Sequence, residues 1–414
     1  MGPSSPPAGT ETPPAVAERD DDAPQPTAAV MSPGRILRAA RRLRTPCFIV
    51  APVLAFLVSL TLGRYPVPLG ELLQLFGAKL HLIHATIPSQ VDTVIFGVRL
   101  PRLLAAMLIG GGLSMAGGAY QGMFRNPLVS PDILGASAGA GFGAALGIML
   151  AKSIVATELL GLGFGLASVL LTYTLAARLR RGDPTLFLVL TGILVGTVFT
   201  SLISALKYLA DPNDKLPAIT YWLMGSLASI NRTDLLLLAI PTVIGCLALF
   251  LVRWHLNPLS FGEEEARAMG AETRKLRIII IVACTLITAA AVSVAGIIGW
   301  VGLVVPHLAR GLVGPDYRAL LPVSAVLGAT YLLLVDDVAR LATTLELPIG
   351  ILTALIGAPV FLLLLARTRK AWSVTQCVGI SSDVTPLMLQ TRPGPQGVRE
   401  PGWEPGVSLI YAPS

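Results

Sequence analysis

The sequence predicts an all-α, polytopic membrane protein of about ten transmembrane helices with an inverted internal repeat. Three observations carry this. Apolar residues make up 53% of the 414 residues and charged residues only 13%, about half the ~25% of soluble domains. Such a chain has too little charge to cover a water-facing surface. The apolar residues also gather in long runs nearly free of charge, at 46–63, 98–122, 186–206, 235–252, 278–305 and 320–335, and about 20 such residues cross a bilayer as a helix. No ~10-residue alternation of apolar and polar positions marks a β-barrel.

Taken in order, residues 1–45 are Pro- and Ala-rich, carry Glu18-Arg19-Asp20-Asp21-Asp22 and end in a basic flank. This composition forms no core and reads as a disordered tail. Its apolar region starts too late and runs too long for a cleavable signal peptide. Met31, just before the basic flank, is an alternative start. Hydropathy then places ten spans between 46 and 367: 46–63, 98–122, 132–151, 157–178, 185–209, 233–252, 276–298, the short 300–313, 319–341 and 349–367. Residues 371–414 are Pro- and Gly-punctuated and read as a second disordered tail.

Between the first two spans, Leu69, Leu72, Leu73, Phe76, Leu80 and Ile83 recur at helical spacing. They predict an amphipathic helix against the outer rim. His81 and His84, with Asp92 nearby, could ligate a metal, but two solvent-facing histidines are the plainer reading and no metal site is assigned. The second span carries Gly110, Ser114, Gly118 and Gly122; the third carries Gly135, Gly139, Gly143 and Gly147. Small residues at every fourth position make a smooth face for close helix packing, with lining a pathway the alternative. At an offset of 179, Ser114-Met-Ala-Gly117 meets Ser293-Val-Ala-Gly296 and Pro127 meets Pro306. The copies fall five spans apart, so they have opposite topology.

With an even span count both termini share one side. Nineteen Lys and Arg flank the spans on that side and nine on the other, so the positive-inside rule puts both termini in the cytoplasm. The net charge of +7 is mostly this bias and calls for no nucleic acid. Cys47, Cys246, Cys284 and Cys377 show no C-x-x-C pairing and imply neither disulfide nor metal.

No phosphate loop or H-E-x-x-H is present. The chain carries no catalytic residues, so active transport would draw on a partner or an ion gradient. Ionisable residues near membrane depth are few: Asp336, Asp337, Arg340 and His307. Asp336 and Arg340 are four apart and can pair along one helix face. A proton relay through Asp336, Asp337 or His307 would instead suit a gradient-driven secondary transporter. The longest cytoplasmic loop, 257–275, holds Ser260, Gly262 and then Glu263, Glu264 and Glu265, which suit the first turn of a short helix. Gly270 supplies its stop. A capped helix there is suited to a groove on a cytoplasmic partner.

At these residues the sequence resembles the permease subunits of type II ABC importers, the FecCD-like family that takes up iron-siderophore complexes, haem and cobalamin. The matching motifs are Arg99-Leu-Pro-Arg102, Gln121-Gly-Met-Phe-Arg-Asn-Pro-Leu128, Leu134-Gly-Ala-Ser-Ala-Gly-Ala140 and Tyr221-Trp-Leu-Met-Gly225. Gly262-Glu-Glu-Glu-Ala-Arg-Ala-Met-Gly270, Gly302-Leu-Val-Val-Pro-His-Leu-Ala-Arg310 and Glu346-Leu-Pro-Ile-Gly-Ile-Leu-Thr-Ala-Leu-Ile-Gly-Ala-Pro359 complete them. They occur in family order across residues 46–367. The resemblance implies a plasma- or inner-membrane permease, working as a homodimer or with a related permease. Two cytoplasmic ATPase subunits would bind the ATP, the chain itself holding no cofactor, and an external substrate-binding protein would deliver the cargo, an iron-siderophore first. It implies ATPase coupling through Gly262, Glu263, Glu264, Glu265, Ala266, Arg267, Met269 and Gly270. Arg99, Arg102 and Arg340 would be outer-face arginines that meet glutamates of the binding protein, and Asn126 and Leu128 would form the cytoplasmic gate. Val129-Ser130-Pro131 stands where the family often has Ala-Glu-Pro.

Overall fold

The computed structural model describes residues 2, 50–63, 65–82, 88–178 and 184–378. Every regular element among them is a helix: α1 (Val50–Thr61), α2 (Leu69–Lys79), α3 (Ser89–Met123), α4 (Ala136–Met149), α5 (Ile154–Arg178), α6 (Pro184–Leu209) and α7 (Lys215–Leu223). Then follow α8 (Arg232–Phe261), α9 (Glu263–Ala268), α10 (Thr273–Ala295), α11 (Val301–Val313), α12 (Tyr317–Leu341) and α13 (Ile349–Val378). Among the described residues α3, α5, α6, α8, α10 and α12 are long and apolar enough to cross a membrane. Shorter apolar helices, Val50–Thr61, Ala136–Met149, Val301–Val313 and Ile349–Leu364, stand at the other four expected spans.

Several boundaries differ from those expected, each for a local reason. The third span is helical only from Ala136, because residues 125–135 form an irregular loop that Gly135 closes at φ +86°. The seventh stops at Ala295, where Gly296 turns the chain at φ +73°. The sixth runs on through Pro258 to Phe261 instead of stopping near 252, so the first residues of the expected coupling loop belong to α8. The last helix continues past 367 to Val378, with no Gly or Pro to break it between Pro359 and Gly379. Its residues from Leu362 onward form a separate unit. Apart from residue 2, the N-terminal tail through 49 lies outside the described residues, as do His84 and residues 379–414.

The four-residue small-residue stripes are packing faces. A Cβ on Gly110 would lie 2.2 Å from the Gly328 carbonyl oxygen, and one on Gly122 2.8 Å from the Tyr317 ring, so this face of α3 is held against α12. A Cβ on Gly143 would lie 2.3 Å from the Leu160 oxygen, and one on Gly139 2.5 Å from Ser168, which seats α4 on α5. Helices this close gain dispersion and backbone contacts that lipid does not offer. Around them two apolar clusters fill the interior, one on Leu75, Ile95, Leu103 and Leu332, the other on Tyr120, Leu249, Ile280 and Leu320.

The repeated Ser-x-Ala-Gly pattern takes two local forms. Gly117 lies inside α3 against the Gly302 carbonyl, whereas Gly296 ends α10 against the Trp222 carbonyl. On the amphipathic segment, α2 buries Leu72 and Leu75. Asp92 pairs with Lys79 at 2.9 Å, which occupies the acid beside His81.

Candidate functional site

Four groups of residues stand out, at the two ends of the helix assembly and on one open helix face. At the end that holds α2, ionic groups from α3, α12 and the loop before α13 form one buried network. Arg102 donates from Nη2 to Asp336 Oδ1 at 2.8 Å, from Nε to the same oxygen at 3.0 Å and from Nη1 to Glu346 Oε2 at 2.9 Å. Arg340 lies 3.1 Å from Asp336 Oδ2, donates to Asp337, and reaches the Leu62 carbonyl at 3.3 Å. Ser59 on α1 donates to Asp337 Oδ2 at 2.5 Å. Arg99 donates to the carbonyls of Leu60, at 2.7 Å, and Tyr65. Its guanidinium fills the space a Cβ on Gly63 would need, 2.5 Å away, where the backbone turns at φ +154°.

The expectation of three arginines open to a binding protein is corrected here. Arg99, Arg102 and Arg340 are only 5%, 5% and 6% exposed. The Arg102 and Arg340 guanidiniums and the carboxylates of Asp336, Asp337 and Glu346 satisfy one another, while backbone carbonyls satisfy Arg99; each ion left alone there would cost several kcal/mol. The expected Asp336–Arg340 pair is present, widened into this network. The same neutralisation takes Asp336 and Asp337 out of a free proton relay. His307 lies apart on α11, half-buried.

At the opposite end the short helix predicted from the Glu-Glu-Glu run is α9. Gly262 begins it at φ +146°, and there a Cβ would meet the folded-back Glu265 carboxylate at 2.0 Å. Gly270 ends it at φ +83°, with the Ala271 N–H returning to the Ala266 carbonyl at 2.9 Å. The expected residues separate into two sets. Gly262 and Ala266 are buried, and Glu263 is braced inward by Arg277 and by Arg267 at 3.2 Å. Glu264, Glu265, Met269 and most of Arg267 face outward. Sequence reasoning missed Phe261, which is 71% exposed, while Met269 is 56% exposed.

A polar clamp ties this end to α12. Asn257 donates to Asp316 Oδ1 at 2.7 Å and accepts from the Tyr317 N–H at 2.9 Å, while the Arg318 N–H reaches Asp316 at 3.0 Å. The Asn257 amide and the Arg318 N–H hold the Asp316 carboxyl below the ordinary carboxylate range. Arg318 stacks 4.0 Å over Trp254. Near this end Asn126 folds the turn after α3 by accepting the Leu128 N–H at 2.9 Å, and Leu128 is 53% exposed.

The fourth group is a face of α6. Thr197, Thr200, Ser201 and Ser204 are all exposed, although α6 is one of the most hydropathic spans. Their hydroxyls donate to the carbonyls four residues back, at 2.8, 2.9, 3.0 and 3.1 Å. Their spacing puts them on one side of the helix. Small hydroxylated residues gathered on one face are of the kind that membrane helices set against a partner or water.

Residues 51–367 match the FecCD transport family. The chain is 40% identical over 318 residues to the molybdate import system permease protein MolB of Haemophilus influenzae, covering 77% of this chain and 94% of that one. It is 39% identical over 328 residues to a Helicobacter pylori protein named as a probable iron chelatin transport system permease, covering 79% and 99%. A solved structure described as a metal-chelate type ABC transporter in an inward-facing conformation superposes with a TM-score of 0.69 at 39% identity, over 77% of this chain and 97% of that one.

Proposed function

Since the chain belongs to the FecCD transport family and is an ABC importer permease, we propose that two copies enclose a conduit along α6 for a metal chelate of the iron-siderophore class. The observation that carries this is the α6 stripe. Thr197, Thr200, Ser201 and Ser204 offer a neutral, hydrated wall whose hydroxyl protons are already committed to the backbone. Such a wall wets the path without holding the cargo tightly, and release must be as easy as entry. The cation-poor face suits a bulky neutral or weakly charged chelate better than a small oxyanion.

In this reading the α9 end is cytoplasmic, as are both termini. Phe261, Met269, Glu264 and Glu265 dock into an ATPase subunit, and the inward Glu263–Arg277 brace makes α9 stiff enough to pass on its movement. Coupling requires such a physical contact. Asn126 and Leu128 sit at the cytoplasmic gate. The binding protein approaches the α2 end, where residues 341–345 and the outer face of α2 are exposed.

The test is uptake by cells lacking the gene, complemented with the full chain and supplied in turn with 55Fe-labelled siderophore, labelled cobalamin and labelled molybdate. Restored iron uptake with no gain in the other two is expected. Restored molybdate uptake alone overturns the cargo assignment.

A further inference from the structure

We propose that Asp132 is a charge filter in the conduit, setting it against anionic cargo and in favour of neutral or positively charged metal complexes. This rests on the conduit reading above. Asp132 lies in the irregular loop between α3 and α4, and its side chain is exposed. Ser130 donates to its carboxylate, and no Lys or Arg among the described residues pairs with it.

The loop does not stay at the end of the assembly. Asp132 lines a crevice with Ser130, Ser137, Thr288, Trp300 and Leu113. Leu113 lies ten residues before the end of α3 at Met123, about 15 Å along the axis, or half of a bilayer core of about 30 Å. Thr288 is likewise well inside α10. Pro131 anchors the loop at this depth, because a Cβ on Gly302 would lie 2.4 Å from its ring. An exposed, unpaired carboxylate at mid-membrane cannot face lipid without a large cost; water is its environment.

The same loop adjoins the α6 stripe. A Cβ on Gly192 would lie 2.5 Å from the Ile133 carbonyl, and one on Gly135 3.3 Å from the Gly196 nitrogen. Gly192, Gly196, Thr200 and Ser204 follow at four-residue spacing, so the row that begins under the loop continues as the open hydroxyls. The ionisable side chains on α6 are Lys207 and Tyr208 near its far end, with Lys207 eleven residues beyond Gly196 and so about 16 Å away. Asp132 therefore sets the sign of the potential where the stripe begins. A fixed charge bordering a narrow aqueous path acts on every charged solute that passes.

The test measures that potential without knowing the cargo. In the full importer complex, with Cys47, Cys246, Cys284 and Cys377 replaced by Ala, Thr200→Cys is reacted with a trimethylammonium and with a sulfonate methanethiosulfonate reagent, in right-side-out and inside-out vesicles. At about 10 Å in water-like surroundings, one carboxylate changes the ratio of cationic to anionic rates by about fourfold, and by more where water is partly excluded. Asp132→Asn is expected to lower the ratio by at least that factor, Asp132→Glu to preserve it, and added salt to shrink the difference. A Thr200→Cys thiol that reacts readily, with a ratio unmoved by Asp132→Asn, overturns the filter and leaves the conduit standing. A thiol unreactive from both sides overturns the conduit and the filter with it.

Discussion

Replacing Arg102 by Met removes the centre of the buried network while keeping the bulk and reach of the side chain. Arg102 supplies three hydrogen bonds to Asp336, at 2.8, 3.0 and 3.1 Å, and one to Glu346 at 2.9 Å. Asp336 is 0% exposed, so after the substitution it keeps only the Arg340 guanidinium at 3.1 Å, and no water replaces what is lost. Removing one partner of a buried ion pair costs about 3–5 kcal/mol. At about 2–4 °C per kcal/mol for a domain of this size class, the midpoint falls by about 10 °C. The assay is thermal unfolding of the detergent-solubilised full chain, followed by size-exclusion fluorescence. Asp336→Asn alone leaves Arg102 to Glu346 and costs somewhat less. The double variant loses less than the two singles together, because once either partner is gone the other has already paid for its burial. A midpoint lowered by less than about 2 °C, or strictly additive singles, would refute the claim that this network holds α3 to α12. Charge reversal at Arg102 or Arg340 would place like charges beside Asp336 and Asp337, and at Arg99 would face the Leu60 and Tyr65 carbonyls with a carboxylate; each is expected to unfold this end before reporting on docking.

Gly110→Val sets a branched side chain where a single Cβ already meets the Gly328 oxygen at 2.2 Å. The α3–α12 pair must part, which costs about 1–3 kcal/mol or more and lowers the yield of folded protein. Ala at exposed Gly163, which has nothing within 4 Å, serves as the silent control for the same expression assay. The Phe261→Ser/Met269→Ser pair removes two exposed apolar contacts; ATPase association, measured by pull-down, is expected to fall at least tenfold with the thermal midpoint unchanged. Acid exposes the Asp316 clamp. Its folded-state carboxyl titrates below the ordinary value, so its contribution is complete above the unfolded value of about 3.9 and is lost as pH falls through the folded one. Between pH 5 and pH 3 the wild-type midpoint should therefore fall further than that of Asp316→Asn, read by the same thermal scan.

Hydropathy and small-residue spacing made most of the fold legible, because burial in lipid writes itself into long stretches. The ten apolar segments, the Gly110–Gly122 and Gly139–Gly147 packing faces, and the α9 helix between Gly262 and Gly270 were all readable from local pattern. The resemblance named the family that residues 51–367 match. Where a side chain points was not readable. Arg102 looks the same in sequence whether it faces a partner or Asp336, 234 positions away, and only folding brings the two together. Asp234 is similar: the capping box with Asn231 that buries it gives a local signal, but its depth does not. The sixth span, α8, overran its expected end because Arg253, His255 and Asn257 end the apolar run at Val252 while the helix itself continues through them and Pro258 to Phe261. The α6 stripe carried a signal that went unread, four hydroxyls at 197, 200, 201 and 204, since Ser and Thr are unremarkable in membrane helices until the structure leaves one side uncovered.

The central claim is that this permease is one of a pair driven from the α9 end by a separate ATPase. Its most direct test is to purify the tagged full chain from native membranes in mild detergent, weigh the intact complex and identify its components by mass spectrometry. The account predicts two copies of this chain with two copies of an ATPase subunit. A species of this chain alone, with no ATPase recovered even after crosslinking, would contradict it.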